Sequence, residues 1–146
     1  MNDQLSPINA PRPASAVVLV VEDDEDERSI VREVLEDEGY TVEETGDGGA
    51  ALARVLGGPP PDVILLDLLM PGMDGWHLVA ELRARQALAD IPVVVMTGAG
   101  DHVLMSAPVS AGYLAKPLSR ARLLETLAAT VERARRRDSG PYPPGE

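Results

Sequence analysis

At 146 residues, 45% of them hydrophobic, the chain is long enough for one domain with a substantial core. A formal net charge of −11 argues against general attraction to nucleic acid or anionic lipid, and the absence of cysteine excludes disulfides and thiol chemistry. The start, Met1 to Pro7, carries neither a basic n-region nor an apolar core, and no apolar run approaches membrane-spanning length, so a cytoplasmic location is the expectation.

Residues 1 to 15 are rich in proline and polar side chains and are expected to be disordered, as is the tail from 138 to 146, leaving one domain over 16 to 137. Between these ends, β-branched runs alternate with amphipathic stretches, the pattern of an α/β domain with helices on both faces of a parallel sheet. Strands are predicted near 17 to 21, 40 to 44, 62 to 67, 92 to 97 and 112 to 115. The first helix, about 25 to 38, sets Ile30, Val31, Val34 and Leu35 on one stripe and stops at Gly39, a residue suited to a left-handed cap. The second follows Gly46-Asp47-Gly48 with Ala51, Leu52, Val55 and Leu56 facing inward. The third runs from about 75 to 85 on Leu78, Val79 and Leu82, and the last from Ser119 to about Arg136 on Leu123, Leu124, Leu127 and Val131. Thr97 and Tyr113 leave room for only one or two helical turns near 101 to 107, because Gly98, Gly100, Pro108 and Gly112 interrupt the link.

Four strand ends carry chemistry. Val17 to Val21 discharges into Glu22-Asp23-Asp24-Glu25-Asp26-Glu27, where clustered carboxylates repel one another unless a cation or water neutralises them. Hard oxygens of this kind suit Mg²⁺, with Glu22 and Asp23 at the strand tip and Asp24 to Glu27 in a first helical turn whose dipole favours acids. Asp67 closes the buried run Val63-Ile64-Leu65-Leu66 at the carboxyl end of a strand, where open parallel sheets build their sites; capping of the turn into Leu68 is the competing explanation. The run Val93 to Met96 ends in Thr97, whose hydroxyl is able to donate to a phosphoryl oxygen, beside Gly98, which has no side chain to fill that space. Lys116, the only lysine against twelve arginines, sits before Pro117 at the fifth strand end as a compact point charge for phosphate.

In order and spacing these segments resemble the receiver domain of two-component response regulators, over about residues 16 to 134. The resemblance implies a doubly wound, flavodoxin-like five-stranded sheet of order 2-1-3-4-5. It implies Asp67 as phosphoacceptor, and Mg²⁺ held by Asp23, Asp67 and the backbone carbonyl of Leu69, with Glu22 acting through water. It also implies Thr97, Gly98 and Lys116 around the phosphoryl group, Tyr113 as the switch aromatic, and a cis Lys116-Pro117 bond. The implied partners are a sensor histidine kinase or a histidine phosphotransfer protein, with signalling by phosphorylation-dependent protein contact from a monomer or weak dimer. No turnover enzyme, nucleic acid or membrane is implied. The short fourth crossover departs from the family pattern and bears on output.

Two other readings compete with this one. A haloacid-dehalogenase-type phosphatase needs a second Asp two residues after the nucleophile, where Leu69 stands. A phosphorylation-independent, receiver-like adaptor usually shows loss of the acid pair, acceptor or lysine; all are present, and the short fourth crossover keeps this alternative open. After the last helix only a short tail remains, so the chain is expected to act by contact or as the receiver of a longer protein. His77 and His102 read as solvated, Trp76 as a partly exposed helix start, Met70, Met73, Met96 and Met105 as packing residues, and Asp74 as a helix cap.

In the family, the positions of Leu69 and Ala99 influence how water reaches the phosphoryl group, and both are apolar here, which predicts slow self-dephosphorylation. L69N combined with A99E is expected to change the lifetime of the phosphorylated form, as read in a phosphate-release assay.

Overall fold

The apolar runs become strands because β-branched side chains pack well on a pleated surface that is covered on both faces. In the computed structural model, which describes residues 16–68, 75–98 and 111–138, these are β1 (Val17–Val21), β2 (Thr41–Thr45), β3 (Val63–Asp67), β4 (Val93–Thr97) and β5 (Gly112–Ala115). They pair in parallel in the order β2-β1-β3-β4-β5, as the resemblance implied. Four helices lie among the described residues: α1 (Glu25–Asp37), α2 (Gly48–Leu56), α3 (Gly75–Arg83) and α4 (Arg120–Asp138). The fourth crossover around 101 to 107, Asp74, His102, Ala99, Leu69, Met70, Met73, Met105 and residues 1 to 15 and 139 to 146 of the predicted disordered ends lie outside the described residues, whereas Asp138, expected in the tail, closes α4.

Strand alternation divides the core in two. Leu19, Val21, Ile64, Leu66, Val93 and Val95 point to the side covered by α2 and α3, where Ala51, Val55, Leu78, Val79 and Leu82 meet them. Val18, Val20, Val63, Leu65, Val94 and Met96 point to the other side, against Val31 and Leu35 of α1 and Leu123, Leu127 and Val131 of α4. Each fully buried aliphatic side chain of this kind contributes about 1.5–3 kcal/mol. The sheet is therefore anchored from both faces, and its strand ends are held at fixed relative heights.

Helix ends follow local chemistry. Asp24 caps α1 by accepting from the Glu27 N–H at 3.0 Å, and Asp47 caps α2 by accepting from the Ala50 N–H at 2.7 Å. Ser119 accepts from the Arg122 N–H at 3.2 Å at the start of α4. Gly39 takes a φ of 101° where the chain leaves α1, the left-handed geometry that favours glycine there. Asp24 is thus a cap, whereas the sequence reading placed it in the first turn.

Two core assignments are corrected. Ile30 is 63% exposed, because the buried stripe of α1 runs through Val31 and Leu35 and leaves Ile30 on the flank beside Pro117 and Leu118. Leu56 is 53% exposed, because α2 packs through Gly48, Ala51 and Val55 and its last residue overhangs the sheet. Trp76 is half-buried against the α2–α3 side of the core, and Met96 is fully buried. On the edge strand β2, Glu43 pairs with Arg54 of α2 at 2.6 Å, and Glu44 pairs with Arg28 and Arg32 of α1 at 3.1 and 3.0 Å.

Helix α3 approaches the end of β3 so closely that a Cβ on Gly75 would lie 2.8 Å from Leu68 Cα and 3.1 Å from the Asp67 carbonyl oxygen. Backbone on both sides has no room to yield. Gly75→Ala is expected to destabilise the fold by about 1–3 kcal/mol, seen as a lower midpoint in urea denaturation.

Candidate functional site

All five strands are parallel, so their carboxyl ends share one edge, and the chain reverses its direction of progress across the sheet at β1 and β3. Such a reversal leaves a crevice outside the strand ends. Pleating then selects which side chains meet there. Glu22 follows β1 and keeps the ladder by donating its N–H to the Thr45 carbonyl at 3.1 Å, and Lys116 follows β5 and donates its N–H to the Thr97 carbonyl at 2.9 Å. Both therefore continue the alternation, Glu22 in step with Val18 and Val20 and Lys116 in step with Leu114. Asp67 is in step with Val63 and Leu65. All three belong to the side covered by α1 and α4.

They meet there. The Lys116 ammonium donates to Glu22 Oε1 at 2.9 Å, to Glu27 Oε1 at 2.7 Å and to Asp67 Oδ2 at 3.2 Å. Glu22 and Asp67 are buried, at 2% and 5% exposure. Asp23 is exposed, yet one carboxylate oxygen from each of Glu22, Asp23 and Asp67 lies within 4.8 Å of the others. The Glu22 backbone is fixed as well, since its carbonyl accepts from Arg28 Nη1 at 2.8 Å and its Oε2 accepts from the Asp24 N–H at 3.2 Å.

Burial pushes the Glu22 carboxyl up to about 7, reinforced by the neighbouring Asp67 and opposed by the bond from Lys116. Burial also disfavours the charged form of Lys116, but the bonds to Glu27 and Glu22 and the charge of Asp67 outweigh it and hold the ammonium above the ordinary lysine range. The cluster is short of positive charge at the level of its oxygens. Three convergent carboxylates with one ammonium between two of them make a donor set for a hard divalent cation.

Thr97 and Gly98 adjoin this centre through Lys116, while Tyr113 is out of step with Leu114 and Lys116 on the pleat. Thr97 ends β4 and is buried, its carbonyl tied to Lys116. Gly98 is exposed, and a Cβ there would touch only Lys116 Cβ at an ordinary 3.8 Å, so steric room at that position is not forced by the described neighbours. Tyr113 on β5 is 52% exposed, its ring outside the core. The Lys116–Pro117 bond is cis. His77 is exposed on α3. Glu27 was missed as a site neighbour. It stands four residues before the buried Val31, so helical spacing alone places it on the inward stripe of α1, a signal masked by the five other acids in the run.

A family-wide sequence profile described as the response regulator receiver domain matches residues 18–128. The chain belongs to the response regulator receiver domain family. The transcriptional regulatory protein TcrA of Mycobacterium tuberculosis H37Rv is 35% identical over 130 residues, covering 87% of this chain and 49% of TcrA. This receiver spans about half the length of the curated relatives it matches. Among solved structures, the signal receiver domain of a signal transduction histidine kinase from Syntrophus aciditrophicus aligns with a TM-score of 0.77 at 29% identity, covering 84% of this chain and 94% of that one. The receiver domain of the sensor histidine kinase PA1611 from Pseudomonas aeruginosa PAO1, solved with a magnesium ion coordinated in its active site cleft, aligns with a TM-score of 0.72 at 29% identity, covering 80% and 98% of the two chains. Among the described residues, no helix of this receiver is long and apolar enough to cross a membrane.

The raised Glu22 pKa has a testable consequence for stability. The folded state binds more protons than the unfolded chain between the ordinary value of 4.5 and about 7, so this group's contribution falls as pH rises through that window. In chelator-treated protein, the urea-denaturation midpoint is expected to drop more steeply across this range in the native sequence than in Glu22→Gln.

Proposed function

We propose that this receiver accepts a phosphoryl group on Asp67 from a histidine kinase or histidine phosphotransfer protein and signals by the altered protein surface that results. The observation that carries the reading is the meeting of Lys116 with Asp67 at 3.2 Å inside a crevice where Glu22 and Asp23 converge on the same carboxylate. That constellation matches what aspartyl phosphate formation needs: a carboxylate nucleophile, a fixed cation donor and a place for a hard metal.

In this reading Asp23 and Asp67 would hold Mg²⁺ with Glu22 acting through water, and the Leu69 carbonyl, outside the described residues, is the further ligand that the resemblance implies. When bound, the ion neutralises phosphoryl oxygens. The chain's own groups supply the rest. An Asp67 oxygen attacks the phosphorus of a phosphohistidine, the new O–P bond forms as the P–N bond breaks, and the leaving imidazole takes up a proton. Lys116 stabilises charge on the phosphoryl oxygens, so the rate gain is mainly positioning and electrostatics. The phosphoryl group brings about −1.5 to −2 charge at neutral pH. It draws the Thr97 hydroxyl toward it, and the exposed Tyr113 ring then packs inward, redrawing the face around β4 and β5.

The protein is proposed to act as a signalling module in the cytoplasm without turnover of an external substrate, and through protein contact, since its acidic balance opposes nucleic acid. TcrA is named a transcriptional regulator, and its additional length leaves room for an effector that this receiver would control if joined to one. Incubation with a small acyl phosphate and Mg²⁺ is expected to label the native chain and leave Asp67→Asn and the chelator-treated protein at background. Labelling of Asp67→Asn to the native level would overturn the assignment.

A further inference from the structure

We propose that Glu27 is a positioning residue that competes with the phosphoryl group for Lys116 and is released when Asp67 is phosphorylated. This deepens the receiver reading and rests on it.

An ammonium has three N–H donors and no acceptor. In this structure all three are matched by carboxylate oxygens, of Glu27 at 2.7 Å, Glu22 at 2.9 Å and Asp67 at 3.2 Å. A phosphoryl group on Asp67 takes over the donor now directed at that carboxylate, and its greater charge and several acceptor oxygens draw on a second, so one of the two glutamates has to yield. Glu22 is a poor candidate to leave. Its side chain is 2% exposed, its Oε2 accepts from the Asp24 N–H, and its backbone is bonded on both sides, so losing Lys116 would strand a buried carboxylate. The Glu27 side chain is 49% exposed and rotates into solvent at little cost. Repulsion from the incoming phosphoryl charge pushes it the same way. The shortest of the three contacts in the unphosphorylated chain is therefore the one that phosphorylation breaks.

Helix α1 does not depend on that contact. The Asp24 cap receives the backbone N–H of Glu27, and the core stripe begins at Val31, so the side chain at 27 is removable without dismantling the helix. The exchange gives the first turn of α1 a direct report of the state of Asp67, and it lowers the affinity of the site for a phosphoryl group by the strength of one half-exposed ion pair.

Lys116 is the only lysine, so protein labelled with ¹⁵N-lysine gives a single side-chain ammonium signal that reads this exchange without any assay of phosphotransfer. The probe is beryllofluoride at saturating Mg²⁺, which occupies Asp67 as a phosphoryl mimic. Glu27→Gln is expected to shift the ammonium signal of the free protein, while the mimic-bound signals of native protein and Glu27→Gln coincide. Glu27→Gln is also expected to bind the mimic about two- to fivefold more tightly, the range of an exposed ion pair. Glu25→Gln removes the same charge from the same helical turn and should leave mimic affinity near the native value. Bound-state signals that differ as much as the free ones, or an equal affinity gain in Glu25→Gln, would overturn the role of Glu27 and leave Asp67 intact as acceptor. Failure of the native chain to bind the mimic at all, with no difference from Asp67→Asn, would remove the receiver reading and this inference together.

Discussion

Two buried carboxylates stand side by side at the edge of this sheet because one ammonium donates to both. Without Lys116, Glu22 and Asp67 would face each other in a crevice that excludes most of the water able to screen them. The ion-pair geometry depends in turn on parallel strands. Only when β1, β3 and β5 run the same way do residues 22, 67 and 116 arrive at one edge, and only because all three fall on the same side of the pleat do they touch. The two apolar half-cores hold those strand ends level, and the close approach of Gly75 to Leu68 fixes where the chain leaves β3. Chemistry at the tip is thus an outcome of packing several residues below it.

Much of this was legible in the residues. The strands are runs of Val, Ile and Leu short enough to be strands and too uniformly apolar to face water. Their ends carry Glu22, Asp67, Thr97 and Lys116, whose types make little sense as core. The strand order came from the resemblance, since alternation of strands and helices fixes a parallel sheet and leaves its permutation open. Ile30 and Leu56 were misplaced for a shared reason. An apolar stripe read from a helix has a width that its partner does not fully cover, and the sheet beneath α1 and α2 reaches Val31 and Val55 but not the next residue around the helix. Glu27 was hidden differently. The three acids of the first helical turn look equivalent on paper, and only the phase of α1 separates Glu27, which turns toward Lys116, from Glu25 and Asp26.

The division of labour within that acidic run is physical. Glu22 is buried and costly to move, Asp23 is exposed at the rim beside Glu22 and Asp67, Asp24 caps the helix, and Glu27 reaches back over the site. A single stretch of similar side chains therefore supplies a buried anchor, an exposed rim carboxylate, a helix cap and a half-exposed contact to Lys116. Spacing along a strand end and the first helical turn assigns these parts.

The charged fringe of β2 has a further consequence for the behaviour of the protein at high concentration. An outermost strand offers unpaired backbone groups as a template for a second molecule. Here Glu43 and Glu44 are braced from opposite faces by arginines of the flanking helices. Two copies meeting along this border would bring like-charged rows together and would have to strip those acids of their partners. The border is therefore a poor seed for fibre growth, which keeps an otherwise Val-rich sheet from recruiting its neighbours.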